Sequence, residues 1–140
     1  MKDYLVILIQ LAGVGELVLV AASAFIPKAL NWKEAMGNPN RLVRQLFWTY
    51  ACYILACHLF FGLISVFAAE ALICGGILAI ALTTLMTLWW GVRILLQFFC
   101  FDRSCIPENR FNTVAEVLLV CLFFYLTAVY GWALMENLRG

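Results

Sequence analysis

Charge is what this chain has least of. Only 12% of its 140 residues are Asp, Glu, Lys or Arg, and 66% are apolar, whereas a soluble domain carries roughly a quarter charged residues. With a mean hydropathy of +0.98, a water-soluble fold could not hide so much apolar surface. The formal net charge is +1 and no basic stripe runs along the chain, so nucleic acid and other polyanions are excluded as partners. Histidine is limited to His58, and bis-histidine haem ligation would need a second. Proline is confined to Pro27, Pro39 and Pro107, all at breaks between apolar runs. No Gly-rich phosphate loop, Ser/His/Asp set or internal repeat is present, so nothing recruits a nucleotide or a hydrolytic water. The expectation is a protein without catalytic residues, cofactor or metal.

What is abundant is long apolar sequence. Four runs stand out, at about 4–26, 46–69, 75–100 and 114–135. Each supplies the roughly 20 residues of helix that a hydrocarbon core of about 30 Å requires. Lipid offers no partner for backbone N–H and C=O groups, so a span is either a helix or a closed barrel, and the short alternating strands of a barrel are missing. The fold class is therefore all-α: a four-transmembrane-helix bundle forming a single domain over 1–140, with short loops between antiparallel neighbours. Pro27-Lys28, Gly37-Asn38-Pro39-Asn40 and Pro107-Glu108-Asn109 punctuate the breaks. Ala69-Glu70 and Cys74-Gly75-Gly76 make the turn between the second and third runs tight, predicting a helical hairpin there. Ala22-Ser23-Ala24 resembles a signal-peptide cleavage site, but the run is long, Lys2 and Asp3 cancel at its start, and Glu16 interrupts it. It reads as a retained helix.

Basic residues set the expected orientation. Lys28, Lys33, Arg41, Arg44, Arg103 and Arg110 fall on the side of the first and third loops, and only Lys2 and Arg139 on the other. The positive-inside rule places those loops in the cytoplasm of a bacterial inner membrane and both termini outside. Trp32, Trp48 and Phe111 on the loop side, and Tyr4, Tyr130 and Trp132 on the other, are expected interface anchors. Cys52, Cys57 and Cys121 lie within spans, and Cys100 and Cys105 lie toward the reducing side. No structural disulfide is expected, and Cys100 with Cys105 lacks the second pair or nearby His that a metal site needs.

Ionisable residues at depth carry the most information, because a charge at the bilayer centre costs a few kcal/mol on the insertion scale, about 3 kcal/mol. There are four: Glu16, His58, Arg93 and Glu116. Counting rise from the loop-side end of each run puts Glu16 and His58 at roughly 15–20 Å, with Thr87 and Tyr125 at similar depth. In this deep tier Glu16 and His58 are expected to share a proton or form an ion pair, which removes the cost of an isolated charge. Functionally that is a proton relay or cation site; structurally it is an interhelical hydrogen bond. A shallower tier joins Arg93 and Gln97, four apart on one helix face, to Glu116, supported by Tyr50 or Tyr53. Here an Arg93–Glu116 ion pair competes with two plainer roles. Thr113-Val-Ala-Glu116 has the form of a capping box, and Arg93 could snorkel to the surface.

Ala12, Gly13 and Gly15 beside Glu16, Gly62 beyond His58, and Gly91 and Gly131 later offer small-residue contact points between helices. Three segments, Arg44-Gln-Leu-Phe-Trp-Thr-Tyr50, Trp89-Trp90-Gly-Val-Arg-Ile-Leu-Leu-Gln97 and Phe124-Tyr-Leu-Thr-Ala-Val-Tyr130, together resemble a group of bacterial four-helix membrane proteins without an established activity. That resemblance spans nearly the whole chain and implies the fold, but brings no functional residues. The chain is also similar, through Glu16 alone, to small multidrug resistance transporters, four-helix proteins with a membrane-embedded Glu on the first helix. Those are shorter, have smaller loops, and lack counterparts of His58 and Arg93. The expected partners are the lipid bilayer and either further copies of this chain or a larger membrane complex.

The charge asymmetry makes a direct prediction. Cys105 should react with a thiol reagent only when the reagent can cross the membrane; labelling by an impermeant reagent outside intact cells would reverse the topology.

Overall fold

The computed structural model describes residues 2–29, 37, 40–99 and 110–140. Trp32, Lys33, Cys100, Arg103, Cys105 and the Pro107-Glu108-Asn109 break lie outside the described residues. The fold consists of helices α1 (Lys2–Ala29), α2 (Arg41–Phe67), α3 (Ile77–Phe99) and α4 (Arg110–Arg139), with a 3₁₀ turn at Ala71–Ile73. All four helices are long and apolar enough to cross a membrane, and no strand occurs among the described residues. The chain is a multi-pass membrane helix bundle.

Local sequence explains where the helices start and stop. Asn40 caps α2, its side-chain oxygen accepting from the Leu42 N–H at 3.1 Å, which satisfies one of the donors left open at a helix start. The helix therefore begins a turn before the apolar run that marked it. Helix α4 likewise starts at Arg110, so Thr113 and Glu116 sit inside the helix. This corrects the capping-box reading, since a box must straddle the first turn. Between α2 and α3, Gly75 adopts φ +79°, a left-handed conformation suited to Gly. Its N–H donates to Asn137 Oδ1 at 3.0 Å, and Asn137 Nδ2 donates to the Leu72 carbonyl at 2.7 Å. A single buried Asn near the end of α4 thus clamps the turn.

The tightest backbone packing is between α1 and α2 and between α3 and α4, with α1 also against α4. Helices α2 and α3, though joined by the short turn, meet through aromatic side chains: Phe61 against Trp89, and His58 against both Trp89 and Trp90. Buried positions form one core that includes Leu5, Ile9, Ala12, Phe61, Met86, Trp90, Phe123, Leu126 and Tyr130. Large apolar residues such as Ile7, Val18, Phe60, Leu88 and Leu118 face outward, as expected where the surroundings are lipid.

Glycine fixes one of these contacts. A Cβ on Gly13 would lie 2.9 Å from the Gly62 carbonyl oxygen and 2.8 Å from Ser65 Cβ, and one on Gly62 would meet Leu17 at 2.9 Å. Because the obstacle at Gly13 includes backbone, it cannot swing aside. Gly91 and Gly131 differ from the expectation of close approach: an added Cβ would stand 4.0 Å from Thr127 and 3.8 Å from Thr87, ordinary contact distances. Gly13→Ala should lower stability by about 1–3 kcal/mol through overpacking, while Gly91→Ala should be neutral or stabilising by up to about 1 kcal/mol. Denaturant titration in mixed micelles reads both, and equal effects at the two sites would contradict this register.

Candidate functional site

Glu16 is fully buried, at 0% exposure, on the inward face of α1 with Ile9, Ala12 and Leu19. No water reaches that position, so its carboxyl depends on donors from the protein. Trp90 Nε1 on α3 donates to Glu16 Oε1 at 2.8 Å, and the Tyr130 hydroxyl on α4 donates to the same oxygen at 3.1 Å. Tyr130 OH in turn pairs with Ser65 Oγ on α2 at 2.7 Å. One connected set of four completely buried side chains, Glu16, Ser65, Trp90 and Tyr130, therefore draws one residue from every helix. The second carboxyl oxygen, Oε2, is buried and has no hydrogen-bond partner. The site has donors converging on one oxygen and a bare oxygen beside it.

His58 is adjacent but differently engaged. Trp89 Nε1 donates to His58 Nε2 at 3.0 Å, so that nitrogen carries a lone pair and the proton sits on Nδ1. The imidazole also stacks on Trp90, with centroids 5.0 Å apart and planes 27° from parallel. Consecutive helix residues point about 100° apart. That lets Trp89 reach α2 while Trp90 reaches α1. Trp90 further stacks on Phe123 at 5.5 Å, and the Arg93 guanidinium lies 5.1 Å from the Phe123 centroid. The indole of Trp90 thus links the two groups that depth counting paired directly.

The deep tier differs from its sequence expectation for a reason of register. Gly62 packs against Gly13 and Leu17, so Gly62 is the α2 residue level with Glu16. His58 falls one turn, about 6 Å, nearer the loop side. Thr87 Oγ1 donates to the Thr83 carbonyl at 2.6 Å and Tyr125 OH to the Leu8 carbonyl at 3.0 Å. Thr87 is spent on its own helix, as membrane hydroxyls commonly are, and Tyr125 ties α4 to α1 without joining the Glu16 set.

In the shallow tier, Gln97 Nε2 reaches Glu116 Oε1 at 3.5 Å, keeping those two together at a long distance. Arg93 is half-buried with its guanidinium over the buried Phe123 ring, so it turns into the bundle instead of snorkelling outward. Tyr50 and Tyr53 are 62% and 66% exposed and make no hydrogen bond to this tier. Tyr130, expected at the membrane interface, is instead completely buried in the Glu16 network, whereas Tyr4 and Trp132 are exposed. Ser65 and Asn137 were not singled out by sequence, and Trp89 and Trp90 entered only as part of a resemblance, with no site role; their polar atoms matter because of the inward faces on which they fall.

These features define a membrane-spanning four-helix bundle organised around a buried carboxyl. Comparison with known protein families, curated proteins and solved structures finds no match.

Proposed function

We propose that this chain is a non-enzymatic subunit of a bacterial cytoplasmic membrane, packing with itself or within a larger membrane complex. Residues 31–41 and 102–110 would lie inside and both termini outside, in keeping with Lys33, Arg41, Arg103 and Arg110 there and Lys28 and Arg44 beside them. The observation that carries the reading is Glu16: fully buried and hydrogen-bonded, directly or through Tyr130, into the other three helices. Such a network holds helices in register where apolar packing alone discriminates poorly. Arg93, Gln97 and Glu116 belong to the same structural role in the shallower tier. His58, held between Trp89 and Trp90, suits packing better than an enzymatic or redox role.

A second reading is favoured by one observation, the buried Glu16 Oε2 without a hydrogen-bond partner. A bare carboxyl oxygen is where an exchangeable proton would reside in a small oligomeric proton-coupled transporter. Against it, Glu16 is completely enclosed by the bundle, at 0% exposure.

Glu16→Gln separates the two, since the amide oxygen keeps accepting from Trp90 and Tyr130 but cannot exchange a proton. The packing reading expects this variant to fold, to stay within about 1 kcal/mol of the parent stability, and to complement a deletion strain fully. A variant folded and present at parental levels that fails to complement would overturn the packing reading in favour of proton exchange.

A further inference from the structure

One polar side chain in α1 faces away from the bundle at a depth where lipid would surround it. Gln10 is exposed and makes no hydrogen bond with any described residue. The span runs from Asp3 to Ala24, so Gln10 lies about 10 Å of helical rise below its outer end, inside a hydrocarbon core about 30 Å thick. An amide left there has neither water nor a protein partner, which costs at least about 1–3 kcal/mol. The positions around it on this helix surface are apolar: Ile7, Leu11, Val14 and Val18 are all at least half exposed. Ile7, Gln10, Val14, the half-buried Leu17 and Ala21 recur at spacings of three, four, three and four, which places Gln10 in the seam of a left-handed helix pair.

We propose that this face of α1 binds a second copy of the chain, joined by reciprocal hydrogen bonds between the two Gln10 amides. A primary amide is its own complement, with a carbonyl to accept and an NH₂ to donate. Two-fold symmetry across a shared face brings identical residues together. Both amides are then satisfied at once, and the apolar residues around them form the contact. Glu16 and its network lie on the opposite face of α1, so pairing leaves the interior of each bundle undisturbed. The inference deepens the packing reading by naming the partner and the surface, and it is independent of whether Glu16 exchanges protons.

The test is resonance energy transfer between donor- and acceptor-labelled copies of the full chain in phosphatidylethanolamine/phosphatidylglycerol vesicles, followed as lipid dilutes protein. The parent should self-associate. Gln10→Leu should weaken association about tenfold, the size of one or two membrane hydrogen bonds. Val14→Trp, in the proposed seam, should also weaken it, and Leu118→Trp, exposed on α4, should not. All three positions are exposed, so unfolding stability should stay at the parental value. A parent that is monomeric at every dilution overturns the dimer while leaving the Glu16 complementation result intact. Self-association indifferent to Gln10→Leu and Val14→Trp overturns this face as its site.

Discussion

A carboxyl group placed where water does not reach must be answered by donors from the protein, and Glu16 is answered from α3 and α4 directly and from α2 through Tyr130. Leaving such a group unmet costs more than a well-made bond returns. Any sliding of α3 or α4 against α1 would strand Glu16, Trp90 or Tyr130. The network therefore penalises wrong registers more strongly than it rewards the right one. Its bare oxygen shows that the answer is incomplete, with both donors converging on Oε1 while Oε2 has none.

The rest of the bundle is arranged to let those four side chains meet. In lipid there is no hydrophobic force drawing helices together, so they associate through close packing and polar contacts. Gly13 against Gly62 provides the close packing between α1 and α2. Between α2 and α3 the backbones stay farther apart and the gap is filled by His58, Phe61, Trp89 and Trp90. Trp90 combines both roles, giving its ring faces to His58 and Phe123 and its N–H to Glu16. At the far end Asn137 closes the turn, and its amide also reaches Thr83 Oγ1 at 3.3 Å, adding α3 to the clamp.

The fold was legible because hydropathy over a span is a strong, local signal. Helix starts were less so: Asn40 extends α2 back to Arg41 through a cap that lies outside the apolar run. Glu16 stood out because a carboxyl at depth is costly whatever surrounds it. Its partners did not, because depth counting assumes that helix ends are level, and the Gly13–Gly62 contact sets a register that separates Glu16 from His58 by a turn. Ser65, Trp90 and Tyr130 each carry one polar atom on a residue equally suited to plain packing, so only their direction into the bundle reveals them. Thr87 and Tyr125 were placed at a reasonable depth, but their hydroxyls found backbone carbonyls first.

Glu16 and Trp90 are expected to be energetically joined through the Nε1–Oε1 bond. A double-mutant cycle with Glu16→Leu and Trp90→Phe, unfolded by denaturing detergent in bicelles, measures that directly, because Phe keeps an aromatic ring while removing the donor, and the cost of the smaller ring cancels between the two arms of the cycle. A coupling of about 1 kcal/mol, within the range of membrane hydrogen bonds, is the expected result. Strict additivity of the two single changes would mean that the helices are held by packing alone and that the buried carboxyl organises nothing.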